Sequence, residues 1–230
     1  MAAIDGPRLR PRSGTTRQLV VFLHGYGADG NDLIEIGRQW ATLLPDASFV
    51  APNAPEPCAG APMGRQWFPL TFRDPHERWR GVNHAAPGRA AVIAEEIARQ
   101  GVPPSRLALV GFSQGTMMAL HHGLRSTPAP SAIVGFSGLL VAEEGKGPEA
   151  LRGAVVSRPP ILLTHGDQDD VIPVEALFMS AGMLAAADIA CEWHLSAGLG
   201  HGIDEAALLH GALFVMRAFG LPNPPGLALA

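Results

Sequence analysis

Short apolar runs at 18–23, 47–51, 106–110, 131–136, 160–164 and 190–195 punctuate the chain, most of them without polar alternation. Such runs predict strands covered on both faces, as in a parallel sheet. Between them, apolar residues recur at helical spacing. Leu33, Ile36, Trp40 and Leu43 mark one face, opened by a capping box that Asp32 and Glu35 would supply. Ala90, Ile93, Ala94 and Ile97 form a second stripe, closed by Gly101 and Pro103-Pro104. Residues 114–124 are apolar almost all round and predict a central, buried helix. Pro173 opens a helix carrying Leu177, Ala181 and Leu184, and a last one starts near Ile203 and stops at Gly220. Strand–helix alternation over 230 residues predicts a single α/β domain, a mostly parallel sheet with helices on both faces.

Three stretches stand outside this rhythm. Residues 52–87 are Pro-rich, weakly periodic and aromatic (Trp67, Phe68, Phe72, Trp79), which predicts a packed, ordered loop. Residues 1–17 read as an arm or surface hairpin; Arg8, Arg10, Arg12 and Arg17 are taken as solvated charges, since no apolar face accompanies them. Residues 221–230 carry no motif and are expected to form a flexible tail.

Composition narrows the function classes. With 17 basic and 21 acidic side chains the formal charge is −4, a poor match for nucleic-acid phosphates. A 47% hydrophobic content argues against disorder. No apolar run approaches the ~18–20 residues that span a bilayer, so no stable membrane insertion is expected. Residues 1–14 have no apolar core of a secretory signal. Cys58 and Cys191 form no Cys-x-x-Cys pair, and a reducing, cytoplasmic compartment fits both; Cys58 is expected in an open loop, Cys191 in a strand interior.

The candidate chemistry begins at Gly111-Phe112-Ser113-Gln114-Gly115, directly between a predicted strand and a predicted helix. Gly-x-Ser-x-Gly in that context is a nucleophile elbow. The sharp turn lifts the hydroxyl above the sheet, and the helix N-terminus favours developing negative charge. Gly135-Phe136-Ser137-Gly138 repeats part of the motif, but position 139 is leucine, so Ser137 is read as a strand-end residue near the site.

A serine needs an adjacent base held by a third group, in the chain order Ser, Asp, His for this architecture. His201 stands in the Gly-flanked loop after the last strand and is the preferred base over His121, His122, His194 and His210. Asp167, Asp169 and Asp170 all follow the strand at 160–164; Asp169, just before Val171-Ile172-Pro173, is favoured, with Asp167 capping the turn. Three nearby carboxylates are too few for a metal site, and neither metal nor cofactor is expected. His24-Gly25-Tyr26-Gly27 ends the first long strand; the backbone N–H groups of Tyr26 and Gln114 would form the oxyanion hole, with His24 bracing the loop. This glycine-rich loop matches neither a P-loop nor a dinucleotide fingerprint.

With these segments placed, the chain resembles the phospholipase/carboxylesterase family of α/β hydrolases, which includes acyl-protein thioesterases and lysophospholipases. The resemblance rests on Leu23-His24-Gly25-Tyr26-Gly27, Ala51-Pro52-Asn53-Ala54-Pro55, Gln66-Trp67-Phe68, the elbow, His165-Gly166-Asp167-Gln168-Asp169 and Gly200-His201. It implies an α/β-hydrolase fold with no cap domain, Ser113, Asp169 and His201 as catalytic residues, and Tyr26 and Gln114 as oxyanion donors. It further implies that 52–87 covers the site and that Trp67, Phe68 and Leu70 contact substrate. Asp170 stands where the family commonly has proline. The expected substrate is a small-molecule or lipid acyl ester, thioester or lysophospholipid, and the resemblance admits a homodimer. Two rivals differ in class or chemistry. One is a non-catalytic small-molecule binder on the same scaffold, which the intact motifs oppose; the other is a dienelactone-type hydrolase, which would carry cysteine at the elbow.

Overall fold

The chain begins with a two-residue strand, β1 (Arg8–Leu9), then β2 (Gln18–Leu23), α1 (Gly30–Trp40), β3 (Ala47–Val50) and a hairpin of β4 (Glu56–Cys58) and β5 (Ala61–Gln66). After the hairpin come α2 (Glu77–Gln100), β6 (Leu107–Phe112), α3 (Gln114–Gly123), β7 (Ala132–Phe136) and α4 (Pro148–Ala154). The last elements are β8 (Ile161–Gly166), α5 (Glu175–Ala186), β9 (Cys191–Ser196) and α6 (Glu205–Ala218). The structure, a computed structural model, describes residues 5–71, 73–74, 76–222 and 224. Phe72 and most of the 221–230 tail therefore lie outside the described residues.

The seven-stranded sheet runs β1-β3-β2-β6-β7-β8-β9, with β1 antiparallel to β3 and every other pair parallel. All six apolar runs read from the sequence are strands of this sheet. Alternate side chains feed two cores. Leu19, Val21, Leu107, Leu109 and Ile133 join Met117, Leu120, Ile93 and Leu177 from α3, α2 and α5. Val20, Phe22, Ala108, Val110 and Val134 join Leu33, Trp40, Leu213 and Phe214 from α1 and α6. Each fully buried Val, Leu, Ile or Phe side chain contributes about 1.5–3 kcal/mol, which explains why β2, β6, β7 and β8 carry no polar face, whereas the edge strand β9 exposes Glu192.

Four local expectations need correction. The α1 cap lies one turn earlier than Asp32–Glu35: Asp29 is the N-cap and accepts from Asn31 N at 2.7 Å, while Asp32 returns a carboxylate oxygen to Asp29 N at 2.9 Å. The 52–87 segment is not one loop. It holds the β4–β5 hairpin and the first turns of α2, which continues through Pro87 because Val82, Arg89 and Ile93 bury its inner face. Cys58 is buried, only 4% exposed, because the hairpin folds back beneath the loop after β2. Arg8 is not a solvated charge: its guanidinium pairs with Glu96 of α2, a carboxylate only 2% exposed. Helix α4 had no counterpart in the sequence reading.

Candidate active site

Because β2, β6, β7, β8 and β9 are parallel, their C-terminal ends share one edge. The residues that follow them there are His24, Ser113, Ser137, Asp167 and the loop to His201. Ser113 sits at the β6–α3 junction with φ 53° and ψ −115°, a region L-residues avoid. Holding it there costs about 1–3 kcal/mol and must be enforced by neighbours. Ser113 N donates to Phe136 O at 2.9 Å, and Thr116 Oγ1 lies 2.9 Å from Gly111 O and 3.0 Å from Phe136 O. Gly115 allows the helix to start so abruptly: a Cβ there would lie 1.7 Å from Leu23 O. At Gly25 a Cβ would come within 3.3 Å of the Ser113 Cβ, so the loop after β2 lies directly against the elbow.

Asp169 is the acidic residue that the fold joins to His201. Its Oδ2 lies 2.8 Å from His201 Nδ1, and its Oδ1 accepts from both Val171 N and Ile172 N at 2.9 Å. Burial alone would raise this carboxyl, but the hydrogen bonds from Ile172, His201 and Val171 outweigh it and hold the group below the usual carboxylate range. An ionised Asp169 accepts only, so His201 Nδ1 is the donor in this pair. The His201 ring packs against Phe112, the residue preceding Ser113, at 5.0 Å between centroids. Asp167 instead accepts from Gly198 N at 2.6 Å and steadies the His201 loop, and Asp170 is exposed.

One residue to which the sequence reading gave no role, and one that it placed at a strand end near the site, support this geometry. His165, 1% exposed, donates from Nε2 to Ile172 O at 2.8 Å, with the same nitrogen 3.2 Å from Asp169 Oδ2. It fixes the turn that presents Asp169; its position near the end of β8, in the quoted motif, was the available signal. Ser137, also at positive φ (44°), donates from Oγ to Gly202 O at 2.7 Å and ties β7 to the His201 loop.

Gln114 is the first residue of α3, where a backbone amide has no acceptor within the helix. Its side chain holds the covering segment: Oε1 accepts from Trp67 N at 2.9 Å and Nε2 donates to Phe68 O at 2.8 Å. Tyr26 adjoins Gly25, and its ring hydroxyl is held above its ordinary value first by a hydrogen bond with Cys58 and then by burial. His24 braces both loops, accepting from Ala54 N on Nε2 at 2.9 Å and donating from Nδ1 to Gly25 O at 2.8 Å.

Trp67 and Phe68, expected to touch substrate, are 1% and 0% exposed. Trp67 Nε1 donates to His24 O at 2.9 Å, and the Phe68 ring fills the space above Gly81. They anchor the covering segment and present no open surface. Leu70 is partly buried against the same core. An apolar groove of about 420 Å³ lies elsewhere, lined by Leu139, Leu140, Ile172, Met179 and Met183. Two of its lining residues adjoin the site. Leu139 follows Gly138, where a Cβ would come 2.8 Å from Ser113 O, and Ile172 donates its N–H to Asp169.

A parallel sheet with an elbow serine and a histidine–aspartate pair at one edge defines the class of α/β hydrolases. The sequence model of the phospholipase/carboxylesterase family matches residues 5–215, and the chain belongs to that family. The Esterase YpfH of Escherichia coli K12 is 30% identical over 84% of this chain and 79% of its own. An Acyl-protein thioesterase 1 of Gibberella zeae is 26% identical over 85% and 88%. Among solved structures, the esterase PE8 superposes with a TM-score of 0.88 at 43% identity, covering 94% of this chain and all of that one. SOBER1 of Arabidopsis thaliana gives 0.75 at 26%, covering 88% and 99%. The protein is accordingly an enzyme, a hydrolase of carboxylesterase type.

Proposed function

We propose that Ser113, His201 and Asp169 form a charge-coupled triad that cleaves carboxylic esters or thioesters of an apolar acyl group, lysophospholipids included. The observation that carries this is the His201–Asp169 hydrogen bond of 2.8 Å, with the His201 ring against Phe112, the residue before a serine at φ 53°. His201 Nε2 takes the Ser113 proton as Oγ attacks the acyl carbonyl. Negative charge then moves to the carbonyl oxygen, which the backbone N–H groups of Gln114 and Tyr26 receive; each such donor is worth about 3–4 kcal/mol. The tetrahedral centre collapses, the C–O or C–S bond to the leaving group breaks, and His201 protonates that group. Water, deprotonated by His201, attacks the acyl-serine and releases the acid with Ser113 restored.

The groove beside Leu139, Ile172 and Met183 takes the acyl chain; the sequence reading named Trp67, Phe68 and Leu70 as substrate contacts. The named esterase and thioesterase relatives support the ester or thioester reading. No helix among the described residues is long and apolar enough to cross a membrane. Both cysteines are free, in keeping with a reducing compartment such as the cytoplasm.

Turnover of nitrophenyl acyl esters by Ser113→Ala tests the reading. Removal of a triad serine typically lowers kcat about a million-fold, and the variant is expected to lose labelling by a fluorophosphonate probe. Parent-like turnover in the alanine variant would dismiss the proposal.

A further inference from the structure

Most arginines that pair with a carboxylate here, such as Arg38, Arg80 and Arg217, are exposed. The most buried one is not paired. Arg89 of α2 is 3% exposed, yet among the described residues no carboxylate lies within 4 Å of it or of Arg125. Arg89 Nη2 donates to His121 Nδ1 at 3.2 Å and Nη1 lies 3.5 Å from Met118 Sδ, while Nε has no partner among the described residues. Arg125 lies with its guanidinium 5.7 Å from the Trp79 ring centre, Nη1 directed to His121 O at 3.3 Å.

Arg89, His121, His122 and Arg125 line one cavity of about 390 Å³ between α2 and the C-terminal end of α3. Along α2 its wall runs from Arg89 past Ile93 to Ile97, about 12 Å. One end is thus cationic and the other apolar. Burial pulls Arg89 down to about 9, helped by Arg125, so it stays charged at neutral pH. Burial and the flanking guanidiniums push His121 to about 3, and burial with Arg89 pushes His122 to about 4. Both histidines are therefore neutral, and the two arginines set the charge of the cavity. The carbonyls ending α3 offset part of it through Arg125; Arg89 makes no bond to them. A cation this buried without a counter-charge is costly unless an anion completes it.

We propose that this cavity is a binding site for an amphiphile with a carboxylate or phosphate head, its head between Arg89 and Arg125 and its apolar body along Ile93 and Ile97. The site is separate from the reaction centre, since His121 lies eight residues, about 12 Å, along α3 from Ser113.

The test is calorimetric binding of decanoate and decyl phosphate to the intact protein, below micellar concentrations, with decyltrimethylammonium as the opposite-charge control. The parent is expected to bind at least one anionic probe and not the cationic one; which of the two binds tells carboxylate from phosphate recognition. Arg125→Gln is expected to weaken binding at least tenfold. Ala94→Trp, an exposed position on the wall, is expected to block the cavity while both guanidiniums remain. Met183→Trp, which alters the acyl groove instead, is expected to bind as the parent does. The proposal fails if neither anion binds the parent, if the cation binds as well, or if Ala94→Trp binds normally while Met183→Trp does not. Binding is read without hydrolysis, so the outcome is independent of the role given to Ser113.

Discussion

Replacing Asp169 by asparagine changes one atom and separates the geometry of the site from its charge. In the parent, Oδ1 accepts two backbone N–H groups at 2.9 Å and Oδ2 takes the His201 Nδ1 proton at 2.8 Å. An asparagine that keeps its oxygen on Val171 N and Ile172 N must turn its NH2 toward His201. Two donors would then face each other, so the imidazole moves its proton to Nε2 and accepts on Nδ1. The base needed at Nε2 is lost, while both turn-forming hydrogen bonds survive. Serine hydrolases lose about 10⁴ in kcat from this change, which is about 5 kcal/mol at 1.36 kcal/mol per decade. Folding stability is expected to fall by only about 1–2 kcal/mol, because the turn keeps its acceptor. Nitrophenyl butyrate hydrolysis over pH 5–9, with a thermal melt of each variant, reads both effects. Asp170→Asn, altering an exposed side chain, serves as control and is expected to stay within twofold. An Asp169→Asn enzyme within tenfold of the parent kcat, at an unchanged melting temperature, would refute the reasoning.

Other perturbations probe separate parts of the structure. Gly115→Ala would push a methyl to 1.7 Å from Leu23 O, a backbone atom, and is expected to cost at least about 3 kcal/mol in urea unfolding; a loss under 1 kcal/mol would show that the elbow has slack. His121, 4% exposed and held to about 3, stays neutral when folded but takes up a proton near 6.5 when unfolded. Its share of stability is thus complete above pH 6.5 and is lost toward pH 3, by up to about 1.4 kcal/mol per pH unit. Urea melts at pH 7 and 5 should show His121→Gln losing less than the parent, and equal losses would contradict the burial argument. Met183→Trp, narrowing the acyl groove, is expected to raise KM for decanoyl esters at least fivefold with little change for acetyl esters. A uniform change across chain lengths would move the acyl chain elsewhere.

The sheet was legible because continuous apolar runs such as Leu19–Leu23 and Leu107–Val110 leave a strand no wet face. The elbow was legible because Gly111 and Gly115 answer a steric demand that is local to the chain. What escaped the sequence depends on distant partners. Helix α2 starts at Glu77, ahead of the visible stripe, because Val82 and Arg89 find the core only after α3 is in place. The β4–β5 hairpin, with Pro57 and exposed Met63, has no strand-like pattern and is positioned by a bridge from Arg65 to Ala28. Trp67 and Phe68 were visible as aromatic but not as buried, since their partners His24 and Gln114 lie far along the chain. At α1 the sequence reading put the cap on Asp32 and Glu35, whereas Asp29 stands outside the first turn and Asp32 is its reciprocal partner.

Gln114 is a hinge pin turned into a rivet. One residue offers its amide at the floor of the reaction centre while its side-chain amide clasps the backbone of Trp67 and Phe68 overhead. Ceiling and floor therefore cannot part without breaking both clasps and disturbing the very amide that would receive the oxyanion. If the groove takes the acyl chain as proposed, substrates enter from the flank past Leu139 and Met179 with no cover to swing, and the rate is expected to follow dissolved substrate smoothly, with no jump when droplets or micelles form.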